Sequence, residues 1–279
     1  MHLLIKFTPK LDYARSFQQG KLYMNTLNYF WTNGFEEQRD VLEGVAAKTS
    51  PDNLDFLPED LRSVQYTDIQ LQAVGYRYCN VFCMHRIDLK PLGKSPLGTE
   101  IAYETASNIE KFGAYAVIVD DEAELLRRIN RAANEQQFKY LCGKVNYHKP
   151  ILNKKPVTSK PNIILKCDET VDMGLFGTEG RYRDSFDKYD KYSWQNEWRL
   201  TLYRGVSDIN AYQFNIGDLS DITHIVKTKN LEKKLHKEIQ NPKLFNSNES
   251  YYGNASRKEL YGLFAALGDN QAWLIISVG

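Results

Sequence analysis

The stretch WQNEWRLTLYR, residues 194–204, alternates in side-chain character over a run rich in aromatic and β-favouring residues, which reads as a strand of a half-buried sheet. On a period of two, Gln195, Glu197 and Arg199 share one face, while Trp194, Asn196, Trp198 and Leu200 share the other. Three polar side chains therefore line up among aromatic neighbours. Burial there would raise the pKa of Glu197, and the adjacent Arg199 would lower it. Two readings stand side by side: a site built on a carboxylate, or a solvated strand face carrying a Glu–Arg pair.

Outward from this strand, HLLIKF (2–7) is a short apolar strand, followed by a helix capped by Asp12, carrying Tyr13, Ala14 and Phe17, and stopped by Gly20. KLYMNTLNYF (21–30) restarts as a strand that runs into a turn. YRYCNVFCMHRI (76–87) alternates as a central strand, and GAYAVIV (113–119) is a second apolar one. Asp120 or Asp121 then caps a helix over 121–142 with Leu125, Ile129, Ala133 and Tyr140 on one side, and GKVNYH (143–148) is another strand. In the last third, YQFNIG (212–217), THIVKT (223–228) and AWLIISV (272–278) read as strands. Helices begin there at Asn230, ahead of Leu231, Leu235 and Ile239, and at a Ser256/Glu259 capping box. This irregular order, without a repeating βαβ unit, predicts an α+β fold: a mixed or antiparallel central sheet with flanking helices. The 279 residues are expected to form one domain, with an exposed Pro/Lys-rich connection near 149–162 and a long Tyr-rich loop near 174–193.

Lys and Arg number 36 against 35 Asp and Glu, so the net charge of +1 disfavours bulk coating of nucleic acid. No apolar run approaches the roughly 18 residues that span a bilayer, and MHLLIKFTPK lacks signal-peptide features, which predicts a cytoplasmic protein without membrane contact. Cys79, Cys83 and His85 alternate on one strand face, but Cys142 and Cys167 offer no second ligand pair; packed, reduced cysteines and no metal are expected. In RDVLEG, Asp40 and Glu43 would share a helix face beside Arg39, able to hold a cation or position a water, or simply to form a charged helix end closed by Gly44. A nuclease arrangement adding Lys48 would need adjacent strands, and this stretch has no strand character. Dinucleotide, P-loop, zincin and hydrolase signatures are absent.

LIKFTPKLDYARSFQQGKLYMNTLNYF (4–30), RDVLEG (39–44), GAYAVIVDD (113–121), KVNYH (144–148) and FDKYDKYSWQNEWRL (186–200) together resemble the DUF2971-like bacterial and phage proteins, over roughly residues 3–204. More distantly, strand, helix, Gly and strand at the N-terminus, with a late strand carrying Gln-x-Glu after an aromatic loop, is similar to the ADP-ribosyltransferase superfamily. That resemblance implies an ADP-ribosyltransferase-like fold and NAD as substrate. It implies Glu197 as the residue that binds the nicotinamide ribose and stabilises the oxocarbenium-like state, with Gln195 toward the acceptor and Arg199 beside them. It puts Tyr192, in the 181–193 loop, in the substrate-recognition position, and Lys6, with Tyr23 and Asn25 on the second strand, toward the NAD phosphate or ribose. Lys6 stands where the family usually has Arg or His. The implied acceptor is a nucleic acid or a protein, in phage–host conflict.

The competing reading is a non-catalytic binding or sensor protein of a phage or defence system, using a surface rich in its 18 Tyr and 4 Trp. Convergence of Lys6, Tyr23 and Glu197 on one pocket would favour the enzyme, and scattering would favour the binding protein. On the enzyme reading, replacing Glu197 is expected to remove activity and leave the fold intact.

Overall fold

A computed structural model of the chain describes residues 2–32, 45–49, 66–73, 78–88, 90–95, 98–102, 109–148, 152–153, 185–238, 251–256, 259–260 and 272–278. In chain order its strands are β1 (His2–Thr8), β2 (Lys21–Thr26), β3 (Val45–Thr49), β4 (Tyr66–Ala73), β5 (Asn80–Asp88), β6 (Lys90–Ser95), β7 (Gly98–Ala102) and β8 (Tyr115–Val119). They continue with β9 (Lys139–Lys144), β10 (Asn146–His148), β11 (Leu152–Asn153), β12 (Asp187–Tyr189), β13 (Glu197–Tyr203), β14 (Tyr212–Asn215), β15 (Thr223–Lys227), β16 (Tyr251–Gly253) and β17 (Ala272–Val278). The helices are α1 (Leu11–Gln18), α2 (Leu27–Thr32), α3 (Glu122–Glu135) and α4 (Leu231–Glu238). Shorter 3-10 turns lie at Ile109–Phe112, Asp190–Gln195 and Thr228–Asn230.

The fold is mixed α+β, with a large antiparallel sheet and few helices. Nine strands form the sheet, seven of them in the order β15-β8-β1-β5-β13-β9-β16, with β2 joining β5 and carrying β14. Smaller groups are the β11-β3-β4-β17 sheet, the parallel β10-β12 pair and the β6-β7 hairpin. Among the described residues no helix is long and apolar enough to cross a membrane.

One edge of β5 belongs to β13 over Asn80–His85. The other edge is shared: β1 pairs with its end from His85 to Asp88, and β2 pairs with its beginning at Asn80 and Val81. Both run antiparallel to β5 and hence parallel to each other, so the chain needs a crossover between them, which α1 supplies. Between the two contacts, Phe82, Cys83 and Met84 have no strand partner on this edge among the described residues. The sheet parts there. Lys6 Nζ crosses the opening and donates to the Cys83 carbonyl at 2.8 Å, satisfying a backbone acceptor that a strand would otherwise take.

Apolar packing covers both faces. On one, Ala14 and Phe17 of α1 and the α3 stripe Leu125, Ile129 and Ala133 pack on Leu4, Met84, Val117 and Trp198. On the other, α4 covers the β1 and β8 end through Leu231 and Leu235, while Phe186, Leu27 and Val81 close the β13 side. These two clusters of the second face leave a polar strip between them.

Several elements differ from the sequence expectation for local reasons. Asp121 is the cap of α3, accepting from Glu124 N at 2.9 Å, but the helix ends at Glu135 rather than 142: Gln137 turns to φ 57°, and Tyr140 belongs to β9. The α1 helix opens after Lys10, which makes no side-chain cap, and Asp12 sits in the first turn, where a carboxylate favours the positive end of the dipole. Leu27–Thr32 is helical rather than a turn, and Val45–Thr49, which contains Lys48, is a strand paired with β4 despite its weak local signal. The Tyr-rich segment is ordered as β12 and a 3-10 turn from Asp187 onward; its earlier part and most of 149–162 lie outside the described residues. The Ser256/Glu259 capping box forms reciprocally, at 2.7 Å and 3.2 Å.

Gly20 ends the crossover at φ +76°, and a Cβ there would lie 1.7 Å from the Gly217 carbonyl oxygen, whereas Gly205 has the same φ with nothing within 4 Å. Gly205→Ala should therefore cost only the left-handed backbone term of about 1–2 kcal/mol. Gly20→Ala should cost at least about 3 kcal/mol, since overlap adds to strain. Urea denaturation of the two variants measures the difference, and equal losses would mean that the Gly20–Gly217 contact imposes nothing.

Candidate active site at the parting of the sheet

Where β1 and β2 separate, a cavity of about 660 Å³ opens, within the roughly 300–1,000 Å³ range of ligand pockets. It draws on both faces of β5, Phe82 and Met84 from one and Cys83 and His85 from the other, as it must where the neighbouring strand has withdrawn. Six sequence candidates line it: Lys6 from β1, Tyr23 and Asn25 from β2, Gln195 from the turn before β13, and Glu197 and Arg199 from β13.

The strand register sets the polar strip. Glu197 lies opposite His85, and Arg199 opposite Cys83, so these four side chains share a face. That face is buried, which removes the solvated-strand reading: Glu197 is 6% exposed and Arg199 1%. Glu197 Oε1 accepts from Arg199 Nε at 2.6 Å, and Oε2 accepts from Lys188 Nζ at 3.1 Å. Lys188 Nζ also donates to Gln195 Oε1 at 2.7 Å, and Arg199 Nη1 donates to the Ser185 carbonyl. The backbone N–H of Glu197 donates to the Tyr147 hydroxyl at 2.8 Å. Every part of this carboxylate's setting is thus fixed.

Burial by itself would raise the Glu197 pKa. The charges of Arg199 and Lys188, with hydrogen bonds from Arg199 and the Cys83 thiol, outweigh it and hold the carboxyl far below the usual carboxylate range. Cys83 shows the reverse: burial first, then the Glu197 charge, push its thiol up to about 12, so it stays protonated and inert. Burial lowers Lys6, against the pull of Cys83 and Glu197. The site can therefore supply a permanent anion set among cations, but Glu197 does not act as a general acid or base near neutrality.

Gln195 departs from the expected strand. It ends the 3-10 turn Asp190–Gln195, and Asn196, at φ 38°, swings the chain into β13, a conformation Asn tolerates better than most residues. Gln195 still reaches the site, buried against Lys188. Trp194 stacks on Phe112 at 5.2 Å instead of lying on a strand face. Tyr192 is buried behind the site, under the ammonium groups of Lys188 and Lys191 at 5.3 and 4.7 Å, and is not among the cavity-lining residues. Arg39, Asp40 and Glu43 lie outside the described residues. Lys188 and His85 are the members that sequence reasoning missed in this role. Lys188 stands in the run FDKYDKY, where nothing local distinguishes it from Lys191, and His85 was read only as a metal candidate.

Among the described residues the lining carries Lys6, Lys21, Lys188 and Arg199 against the one carboxylate of Glu197, an excess of basic groups that suits a phosphate-bearing ligand. Among the described residues no group of three or more His, Cys, Asp or Glu side chains could hold a metal ion. No family model, curated protein or solved structure matches the chain.

Removing Arg199 would take from Glu197 the charge that most lowers its pKa and leave it with Lys188 and the Cys83 thiol, so Arg199→Met should cost about 3–5 kcal/mol in a denaturant titration. Replacing Glu197 is likewise not neutral to the fold, because it strands two buried cations, contrary to the expectation from the sequence. Since the folded pKa of Glu197 is depressed, its contribution is present above the usual carboxylate range and is lost as pH falls below it. The melting temperature of the wild type should therefore drop more between about pH 6 and pH 3 than that of Glu197→Gln; parallel drops would show that Glu197 titrates normally.

Proposed function

We propose that the protein is an ADP-ribosyltransferase-like enzyme that consumes NAD and passes ADP-ribose to a nucleic-acid or protein acceptor. The observation that carries this reading is the convergence of Lys6, Tyr23 and Glu197 on one cavity, together with Asn25, Gln195 and Arg199. The parted antiparallel sheet is compatible with the ADP-ribosyltransferase-like architecture, and the DUF2971-like motifs support phage–host conflict in the cytoplasm as its setting.

The chemistry fits the electrostatics. When the bond between C1′ of the ribose and the ring nitrogen breaks, the electron pair leaves with nicotinamide. That group departs as a neutral base and needs no proton. Positive charge develops on the sugar, the acceptor's nucleophile adds at C1′, and its proton is released. A carboxylate that stays ionised is what this step calls for, and the depressed pKa of Glu197 supports that role. The aromatic walls, Phe7 and Phe112 within and Tyr13 and Tyr23 exposed at 53% and 63%, suit the flat rings of the dinucleotide. Lys21 supplies a cation to the pyrophosphate and Lys6 a further amine donor, whose charge burial disfavours.

One observation favours the second reading, a nucleotide sensor that binds without turnover: both Glu197 oxygens are already engaged by Arg199 and Lys188. Nicotinamide release from NAD separates the two. The enzyme reading expects release by the wild type and a loss of about a hundredfold or more in Glu197→Gln, the usual scale for removing one transition-state contact, with circular dichroism at the assay temperature confirming that the variant is folded. Tyr23→Ala, at an exposed rim position, should weaken NAD binding without lowering the melting temperature. Binding without release would establish the sensor, and neither binding nor release would overturn both.

A further inference from the structure

His85 is buried, 6% exposed, and lines the cavity directly across the strand pair from Glu197. Its Nδ1 lies 2.6 Å from the Gln195 carbonyl oxygen. A carbonyl only accepts, so Nδ1 carries the proton, and in the neutral ring Nε2 is left as a lone-pair acceptor. Burial lowers the pKa of the ring, against the Gln195 hydrogen bond and the Asp88 charge, which keeps it neutral. Among the described residues Nε2 has no hydrogen-bond partner, and it is shielded from solvent. An acceptor in that condition is an uncompensated cost that a ligand donor would relieve.

The surroundings say what kind of donor. Phe7 meets the His85 ring edge-on at 5.9 Å and stacks on Phe112 at 6.1 Å, and Phe112 continues the stack onto Trp194. A flat ring laid against Phe7 and Phe112 brings its substituents toward the imidazole. Resting on the NAD reading above, we propose that His85 is a specificity-determining residue, whose Nε2 accepts a hydrogen bond from an N–H donor on a flat ring held at the Phe7–Phe112 wall, so that the site takes the carboxamide form of the dinucleotide and rejects its carboxylate form.

The sign of this preference is diagnostic. Among the described residues Lys21, Lys188 and Arg199 outnumber the one carboxylate of the lining even without Lys6, so charge alone favours the carboxylate form, which carries one more negative charge. An acceptor facing that carboxylate is repelled by it, while a carboxamide supplies the missing donor. Selection of the amide against the prevailing charge therefore marks the acceptor.

The test is calorimetric binding at pH 8, where the imidazole is neutral, of NAD and of nicotinic acid adenine dinucleotide to the whole chain. The wild type should bind NAD at least about tenfold more tightly, the scale of one buried hydrogen bond gained or left unmade. His85→Asn, whose amide can still donate to the Gln195 carbonyl but does not reach the Nε2 position, should lose about tenfold in NAD affinity and with it the preference, at an unchanged melting temperature. Equal binding of the two forms by the wild type, tighter binding of the carboxylate form, or a preference that survives in His85→Asn overturns the inference while leaving the NAD reading in place. Binding of neither form overturns both. Because the comparison of ligands needs no mutation, the wild-type result decides even if His85→Asn fails to fold.

Discussion

Two strands compete for one edge of β5, and neither can have all of it. Once β13 holds the opposite edge, β1 and β2 must divide what remains, and their parallel direction forces a helix between them. Among the described residues the division leaves Phe82, Cys83 and Met84, in the middle of a nine-stranded sheet, without a strand partner on one side. Lys6 answers the Cys83 carbonyl, and its Nζ lies over the Phe82 ring, 4.4 Å from the centroid. A cavity in the plane of a sheet, reached by side chains of both faces, follows from this one topological fact.

The polar strip that meets this cavity is expensive to build. Lys188, Glu197 and Arg199 are withdrawn from water together, and an apolar trio of similar volume would serve the fold at least as well. The strip interrupts two apolar clusters of the second face at the point where the strands separate. Buried charge set in the wall of a cavity makes this strip the candidate site of the molecule.

Much of this was legible in the sequence, and the failures have physical causes. The alternation around Glu197 and Arg199 gave β13 and the shared face, because a side-chain period of two is a local property. The Asp121 cap and the Ser256/Glu259 box were likewise local. The end of α3 was not, since the chain turns at Gln137 without a glycine to announce it, and the apolar spacing runs on into Tyr140 of β9. Lys188 was invisible because its partners come from tertiary folding around a strand of only three residues. The parting itself depends on a register contest between the Asn25–Val81 and Ile5–His85 pairings, each joining segments far apart in sequence, which no local pattern encodes.

The distribution of charge has a consequence for how the molecule meets anions. The chain as a whole carries +1, while the cavity lining holds four cations and one carboxylate, so the remainder of the chain is formally at −2. Ionic strength screens exposed charges over about 8 Å under physiological conditions but reaches buried ones far less. A small anion that enters the cavity meets the buried Lys188 and Arg199 nearly undiminished by salt, while the exposed Lys21 is screened. A long polyanion, which gains affinity by releasing counterions along an extended basic surface, gains little from a net charge of +1. The buried charges of the fold thus act on what enters the cavity more than on what passes over the surface.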